Sequence, residues 1–484
     1  MRNFILLLFL FSSACSKINI LPPSPVYPLP SVHQLEWQEK ELCAFVHFTV
    51  NTFTDKEWGY GDEDPNIFNP TEYNPYQWAE VLKQAGFKGV ILTAKHHDGF
   101  CLWPSKYTNH SVKNISWKEG NGDVVRDLRD ACIMNNLEFG VYLSPWDRNH
   151  KDYGTPAYIN YYRKQLYELL SQYGPFFEVW FDGANGGDGF YGGAYETRKI
   201  NDQDYYDWSS TFSVVRGFNP KTIIFGDARA ESDVRWCGNE KGFVGETNWN
   251  MISPDSLKVI GKEFKQRAQL LNVGEENGTA WIPAEVDVSI RPGWFYHEKE
   301  NKQVKTADEL FDIFLSSVGR GANLLLNVAP DKRGLIPEPD VRSLLLWKKK
   351  IDETFSKNLV SVAKVEVDSY RGKSNQFAAI NLADGNKETY WATDDKITSG
   401  SIELDFNGPQ LIQYVLVQEY IRLGQRVKSF SIEVFANGQW EEVANATTIG
   451  YKRIVRFEPV ETERLRVNIK DSKACLAISN IEVY

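Results

Sequence analysis

Short apolar runs alternate with longer amphipathic stretches through roughly the first 350 residues, and this alternation constrains the fold more than any other feature of the chain. The pattern begins with CAFVHF (43–48), NPYQWAEVLKQAGF (74–87), KGVILTAKH (88–96) and DVVRDLRDACIMNN (123–136), and it runs on to GANLLLNVAP (321–330). Such alternation indicates parallel strands joined by helical crossovers, and we predict an α/β fold of the (β/α)8-like TIM-barrel class. A doubly wound sheet is the alternative, although no glycine-rich phosphate loop follows the first strand.

The pattern changes near Leu359, where short alternating runs with turn residues between them replace the helical stretches. Examples are SIELDF (401–406), YVLVQEYI (414–421), RLRVNIK (464–470) and ISNIEVY (478–484). Regularly spaced short strands predict an all-β antiparallel sandwich. We therefore place a barrel domain at 30–355 and a sandwich domain at 356–484.

Polar residues fall where the predicted barrel strands end. Because the carboxyl ends of barrel strands converge on one face, we expect these residues to surround one pocket. Adjacent strand residues point in opposite directions unless the strand has ended, so His96 and His97 are poorly placed to bind one metal ion together. We therefore favour hydrogen bonding to a ligand as their role. A histidine of an internal hydrogen-bond network is the alternative. The strand-end residues are His47, His96, His97, Tyr142, Trp180, Asp182 and Asp227.

Composition narrows the ligand class. The formal net charge of −10 argues against nucleic acid or an anionic membrane surface as a partner. The 15 Trp and 23 Tyr residues suit sugar rings, although core packing accounts for the larger share of them. No Cys or His spacing is typical of a metal site, and we expect no metal and no cofactor. We expect the scattered cysteines to be buried apolar residues: Cys43, Cys101, Cys132, Cys237 and Cys475.

The first residues, MRNFILLLFLFSSACSK, have the layout of a bacterial export signal. A basic residue precedes an apolar run that is too short to span a bilayer, and Cys15 follows small residues as in a lipoprotein cleavage site. We predict a signal peptide at 1–14, a lipid anchor at Cys15 as the only membrane contact, and a location in the periplasm or cell envelope. A plain signal peptide is the alternative.

Glycoside hydrolysis uses two carboxyl groups on either side of the scissile bond. Asp182 is the best candidate for one of them, since it ends an apolar strand and glycines follow it. An aspartate that stabilises a turn or caps a helix would have the same local sequence, and this is the alternative. Spacing does not choose the second acid. A glutamate near Trp236 and between glycines, as Glu240 is, suits a raised pKa. The candidates are Glu231, Asp233, Glu240, Glu246, Glu285 and Asp287.

Seven motifs in this order resemble the retaining α-L-fucosidases of glycoside hydrolase family 29. They are HFTVNTFTDKEWG (47–59), TAKHHDGFCLWPS (93–105), VYLSPWD (141–147), VWFDGANG (179–186), DVRWCGNEKG (233–242), PAEVDVSIRPGWFYH (283–297) and GANLLLNVAPDKRGLIP (321–337). The segments NKETYWATDD (386–395) and ISNIEVY (478–484) are similar to discoidin-type (coagulation factor 5/8) modules. Such a module either binds carbohydrate or packs as a structural wing, and we favour the wing slightly.

The resemblance implies a barrel enzyme in which Asp182 is the nucleophile and Glu240 the acid/base. It implies fucosylated glycans as partners and a fucose site formed by His47, Glu57, Trp58, His96, His97, Tyr142, Trp180 and, as an apolar wall, Trp294. The GNE motif further implies cleavage of α-1,3/1,4-linked fucose by double displacement. Two alternatives stay open, a non-catalytic glycan-binding surface lipoprotein and an exo-glycosidase for a related galactoside.

Overall fold

The computed structural model describes residues 20–202, 204–226, 231–260 and 264–484. For 258–260 it describes the backbone and not the side chains. The predicted signal peptide (1–14), Cys15 and Asp227 lie outside the described residues, so these assignments stay predictions. Among the described helices none is both long and apolar enough to cross a membrane.

The first domain contains twelve strands and ten helices within the described residues. The strands are β1 (Leu42–Val46), β2 (Gly89–Lys95), β3 (Glu138–Leu143), β4 (Glu178–Trp180), β5 (Gly187–Gly189), β6 (Glu196–Arg198), β7 (Ile223–Phe225), β8 (Arg235–Trp236), β9 (Met251–Ile252), β10 (Ala280–Trp281), β11 (Ala284–Ser289) and β12 (Asn323–Asn327). The helices are α1 (Val32–Gln38), α2 (Val50–Thr54), α3 (Pro75–Gln84), α4 (Val124–Met134), α5 (Pro156–Tyr173), α6 (Trp208–Phe218), α7 (Pro254–Ile260), α8 (Phe264–Val273), α9 (Ala307–Ser316) and α10 (Glu338–Thr354).

Eight of these strands form one parallel sheet in the order β7-β4-β3-β2-β1-β12-β11-β8. The two edge strands meet through a parallel bridge between Phe225 and Val234, which closes the sheet into a ring. Around that ring the strands follow each other in chain order, as right-handed β/α crossovers produce. The predicted (β/α)8-like barrel is thereby confirmed.

Local sequence explains where the crossover helices begin. The Asn74 side chain accepts a hydrogen bond from the Gln77 amide, and Pro75 occupies the first turn of α3. Asp123 caps α4 in the same way through the Arg126 amide. Both residue types favour the N-cap because they satisfy an amide that the helix leaves unpaired.

Alternate residues of the barrel strands point inward and fill the centre of the ring with large side chains. Phe45, Ile91, Tyr142, Trp180 and Phe225 belong to one buried cluster. Their neighbours in the strands, such as Ala44 and Val90, belong to a second cluster that includes residues of the surrounding helices. The interior is therefore a packed core, and the open space lies above it at the strand ends.

The second domain contains strands β13 (Lys364–Val367), β14 (Trp391–Ala392), β15 (Gly400–Glu419), β16 (Val427–Ala436), β17 (Gln439–Ala446), β18 (Arg453–Ser472) and β19 (Ala477–Val483). All their pairings are antiparallel, which fits the predicted sandwich class. The predicted separation of SIELDF (401–406) from YVLVQEYI (414–421) is wrong in detail, because β15 runs through the expected turn. Between Asp405 and Gln410 the register shifts as at a bulge, with Asn407 and Gly408 at positive φ, so the chain bends and pairing continues.

The sandwich packs on the barrel through apolar and polar contacts and also holds the first described residues. Arg453 pairs with Glu246, and the Gln425 side chain accepts a hydrogen bond of 2.8 Å from the Asn250 amide. Arg426 donates to the Ser24 carbonyl at 2.7 Å, so the segment before α1 lies on the sandwich. All five cysteines of the described residues are buried and free, as expected.

Candidate active site

The predicted site residues lie at or just beyond the carboxyl ends of barrel strands. His47 follows β1, the histidine pair follows β2, Tyr142 lies near the end of β3, and Asp182 follows β4. Glu240 and Trp294 lie in the loops after β8 and β11. The fold therefore assembles residues that are far apart in sequence around one mouth.

Asp182 is held by two hydrogen bonds. The Tyr142 hydroxyl donates to Oδ2 at 2.8 Å, and the Ala184 amide donates to Oδ1 at 2.7 Å. The His97 Nε2 atom lies 3.7 Å from Oδ2. The hydrogen bond from the Ala184 amide is typical of a turn aspartate, which was the alternative for this residue. The Asp182 side chain is nevertheless 23% exposed. Both bonds stabilise the negative charge and fix the direction of the carboxylate.

Three buried histidine rings form the floor beside Asp182. The His96 and His97 ring centroids are 4.2 Å apart, and His47 lies 5.5 Å from His96. His47 Nδ1 is 2.8 Å from Asn327 Oδ1, and His97 Nδ1 is 2.7 Å from Ser144 Oγ. Burial lowers the pKa of His47 to about 3 and that of His97 to about 4.

These rings are neutral near pH 7, and a neutral imidazole offers one donor and one acceptor. Burial and the two neighbouring histidines also lower the pKa of His96. Its Nδ1 atom is buried and has no hydrogen-bond partner among the described protein groups. The floor therefore has a ring nitrogen available for a hydrogen bond with a hydroxyl group of a ligand.

Glu240 lies in the loop after β8 and is exposed to solvent. The Trp294 indole donates to Glu240 Oε2 at 3.3 Å. Partial burial raises the pKa of Glu240, the Trp294 hydrogen bond acts in the opposite direction, and the negative charges of Asp182 and Glu57 raise the pKa further. A raised pKa is what a proton-donating carboxyl requires.

The segment 55–61, which we call the strap, crosses the mouth. At one end Glu57 accepts hydrogen bonds from the Trp294 amide at 2.8 Å and from His297 Nε2 at 2.6 Å. His297 Nδ1 also lies 2.5 Å from Asp55 Oδ1, and these two carboxylates raise the pKa of His297 against the effect of burial. In the middle Trp58 stands edge-on to His97, with ring centroids 5.4 Å apart.

Arg148 fixes the other end of the strap. Its guanidinium donates to the Gly59 carbonyl at 2.6 Å and to the Asp188 carbonyl, in β5, at 2.6 Å. The group is buried and lies over the rings of Tyr60 and Trp146, at 4.7 and 5.2 Å from their centroids. One cation thus joins the strap to the hairpin that follows Asp182.

Trp180 lies beneath the mouth, inside the barrel. Its ring stacks on Phe225 at 3.8 Å and on Tyr142 at 5.6 Å, and its Nε1 atom donates to Glu285 Oε2 at 2.9 Å. Only 6% of the residue is exposed. It supports the Tyr142 ring, and a direct contact with sugar stays a prediction.

The other candidate acids lie in different surroundings from Glu240. Glu246 pairs with Arg320 and Arg453 at the domain interface, and Glu285 is buried in the barrel core with Glu178. Asp287 is buried and accepts a hydrogen bond of 2.9 Å from the Trp236 indole. Asp233 forms an ion pair with Arg216, and Glu231 is exposed. Across the described part of the chain, no group of three or more His, Cys, Asp or Glu residues could hold a metal ion.

Sequence reasoning missed several residues that hold the site together. Asn327 ends β12 and could have been found by the strand-end rule that identified His47. His297 closes the PGWFYH motif, but its pairing with Asp55 depends on a contact across 242 residues. Arg148 directly follows the VYLSPWD motif (141–147), and nothing in the neighbouring sequence indicates that it reaches Gly59.

Comparisons with known proteins give a consistent result. Residues 26–347 match the family Alpha-L-fucosidase, and residues 364–481 match the F5/8 type C domain. The chain is 41% identical to Alpha-L-fucosidase 1 of Arabidopsis thaliana over 467 residues, covering 96% of this chain and 88% of the relative.

Solved structures are similar over nearly the whole chain. A glycoside hydrolase 29 family member from an unknown rumen bacterium superposes with a TM-score of 0.85 at 44% identity, covering 96% of this chain and 78% of that one. A Ruminococcus gnavus family 29 fucosidase in complex with fucose superposes with a TM-score of 0.85 at 32% identity, covering 96% of each chain.

Proposed function

The chain belongs to the α-L-fucosidases of glycoside hydrolase family 29, and from this premise we propose that it is a retaining exo-enzyme that removes terminal α-1,3/1,4-linked L-fucose from branched glycans. Its activity as an α-L-fucosidase follows from the family. The retaining mechanism, the linkage and the roles of individual residues form the proposal.

The observation that carries the mechanism is the difference between the two acids at the mouth. Asp182 accepts hydrogen bonds from a hydroxyl and an amide, one at each carboxyl oxygen, which fix its direction. Glu240 accepts a single long bond, and burial and nearby negative charges raise its pKa. A retaining glycosidase needs this division between an ionised nucleophile and a protonated acid.

In the proposed reaction the Asp182 carboxylate attacks the anomeric carbon of fucose. The bond from that carbon to the leaving oxygen breaks, and Glu240 gives its proton to this oxygen. A covalent fucosyl-enzyme results. Glu240, now ionised, takes a proton from water, whose oxygen attacks the same carbon and releases Asp182. The mechanism calls for the two carboxyl groups to stand about 5–5.5 Å apart in the working complex.

The histidine floor suits the hydroxyl groups of fucose. His47 and His97 use Nδ1 for Asn327 and Ser144, so each has its Nε2 atom left for a ligand, and His96 Nδ1 has no protein partner, while fucose presents three free ring hydroxyls. Trp294, which lies 5.2 Å from the His47 ring, provides an apolar surface for the methyl group of fucose. A buried neutral site of this kind favours an uncharged sugar over an anionic one.

The nucleophile is tested with Asp182→Ala. We expect loss of turnover on a Lewis-type trisaccharide, and partial recovery with azide that yields only the inverted fucosyl azide. Asp188→Ala, in the following hairpin, is the control and should keep its rate. Azide product of retained configuration, or full activity of Asp182→Ala, would refute the assignment.

The acid and the linkage are tested together. Glu240→Ala should lose most activity on the trisaccharide, whereas Glu231→Ala, which removes an exposed acid close by in the chain, should not. Wild-type enzyme should release fucose from the α-1,3/1,4-linked trisaccharide much faster than from a 2′-fucosylated one. Near-full activity of Glu240→Ala would contradict its role, and equal rates on both glycans would contradict the linkage.

A further inference from the structure

Glu240 lies in the middle of a loop, residues 237–243, which we call the acid loop. Backbone hydrogen bonds fix the chain at both ends of it. The Cys237 amide donates to the Glu285 carbonyl in β11 at 3.1 Å, and the Val244 amide donates to the last carbonyl of α9 at 3.0 Å. Glu240 itself is exposed, so the position of its carboxyl depends on what holds the loop between these two anchors.

The acid loop lies directly against helix α8. Gly238 has φ of 81°, and a Cβ atom at this position would lie 2.1 Å from the Ala268 carbonyl oxygen in α8. Glycine allows the two backbones to approach this closely, because it has no Cβ atom and adopts positive φ without strain. Gly242 also has positive φ, and a Cβ atom there would lie 2.9 Å from the Ile313 side chain in α9. Two helices therefore border the loop, and α8 is near enough to hold it.

Two asparagine side chains join the ends of the acid loop. Asn272, near the end of α8, donates from Nδ2 to the Cys237 carbonyl at 2.9 Å and to the Phe243 carbonyl at 3.2 Å. Asn239 Nδ2 donates to the same two carbonyls, at 3.4 and 3.0 Å. A side-chain amide carries two N–H donors, so a single group can bridge both ends. The width of the loop is therefore set by these bridges.

The two asparagines differ in what they are attached to. Asn239 belongs to the acid loop and moves with it, whereas Asn272 belongs to a helix that is tied to the barrel. The buried Arg235 of β8 donates from Nε to the Leu271 carbonyl at 2.9 Å, directly beside Asn272. The Asn272 carbonyl also accepts a hydrogen bond of 3.2 Å from the Gly245 amide. Asn272 therefore connects the loop to a fixed part of the structure.

We propose that Asn272 is a positioning residue for the acid/base, which acts on the reaction by holding the acid loop that carries Glu240. This inference rests on the proposed function, in which Glu240 gives a proton to the leaving oxygen and later takes one from water. Proton transfer requires the two heavy atoms to be within hydrogen-bond distance, and a misplacement of about 1 Å can cost about 100-fold in rate. The Glu240 side chain can then turn on a backbone that Asn272 keeps in place.

The test compares a substrate that needs the acid with one that does not. The sugar that leaves from the Lewis-type trisaccharide takes up a proton, whereas fluoride leaves α-L-fucosyl fluoride without one. For Asn272→Ala we expect kcat/KM on the trisaccharide to fall about 10-fold, because Asn239 still bridges the loop and part of the acid catalysis remains. On the fluoride kcat/KM should not change. Asn272→Asp keeps the size of the side chain but removes both donors, and it should show the same selective fall.

Asn135→Ala is the matched control, since the Asn135 side chain also donates to a backbone carbonyl, that of Ala131, at 2.9 Å at the end of α4. It should leave kcat/KM on both substrates unchanged. Glu240→Ala is the reference and should lose about 100-fold or more, on the trisaccharide alone.

An unchanged kcat/KM on the trisaccharide for Asn272→Ala would overturn the inference. An equal fall on both substrates would overturn it too, since Asn272 would then only stabilise the fold. If Glu240→Ala fell equally on both substrates, the acid assignment itself would be wrong, and the inference with it.

Discussion

The hydrogen bond from Trp294 to Glu240 allows a quantitative test of the acid assignment. Trp294→Phe removes the indole donor and keeps an aromatic ring near His47. Because the donor stabilises the ionised carboxyl, its loss raises the pKa of Glu240. The enzyme then keeps its proton donor at higher pH, and the alkaline limb of the pH profile of kcat/KM moves upward.

The size of this change follows from the geometry. Hydrogen bonds to charged groups contribute about 1.5–3 kcal/mol when they are short and buried. The bond to Glu240 is 3.3 Å long, and the carboxyl faces solvent, so water replaces part of what is lost. We therefore take about 0.7 kcal/mol, which corresponds to an upward move of roughly half a pH unit.

The assay is the pH dependence of kcat/KM on the trisaccharide, which reports groups of the free enzyme. Fluoride departs without a proton, so α-L-fucosyl fluoride should show no alkaline limb in either enzyme. Trp208→Phe, which removes an indole donor bound to the Asp202 carbonyl, is the control and should not move the limb. An alkaline limb that stays in place or moves downward in Trp294→Phe would refute the reasoning.

Two further predictions concern stability. Burial lowers the pKa of His97 to about 4 in the folded protein, below the ordinary value of 6.5, so its contribution to stability is present above pH 6.5 and is lost as pH falls toward 4. The free energy of unfolding, measured by urea titration, should fall between pH 7 and pH 4.5 in the wild type, and the fall should be about 2–3 kcal/mol smaller in His97→Asn. An equal fall in the two proteins would contradict this. Asp340→Ala should lower the unfolding free energy by about 3–5 kcal/mol, because it leaves the fully buried guanidinium of Arg291 without its carboxylate. Asp352→Ala, which breaks an exposed pair with Lys348, should cost about 0.5 kcal/mol or less, and equal effects of the two variants would refute the argument.

The strand-end rule predicted the histidine floor and Asp182 because it depends only on local pattern and topology. An apolar run identifies a strand, parallel order sets its direction, and the residue after the run must then face the mouth. His47, His96 and Asp182 all follow this logic. Asn327, at the end of β12, follows it too.

Residues in loops could not be placed in this way. Glu57 and Trp58 lie beyond α2, and their position over the mouth depends on contacts with Trp294 and Arg148 that no local pattern encodes. Their inclusion came from the family resemblance alone. In the sandwich, the turn expected between SIELDF and YVLVQEYI is a bend at Asn407, because the residue types that favour a turn also permit a bulge within a continuous strand.

The way in which the fold holds the two acids matches the different tasks proposed for them. Asp182 follows a strand of the barrel directly and is bound at both oxygens, which suits a nucleophile that must meet one carbon at one distance. Glu240 lies in a loop and is bound at one oxygen, at 3.3 Å, so its carboxyl can turn between the leaving oxygen and an incoming water. A second strong donor at Glu240 would stabilise its anion and oppose the first proton transfer. The weak contact with Trp294 therefore suits the acid role proposed for Glu240, in which the same carboxyl gives up a proton in one step and recovers one in the next.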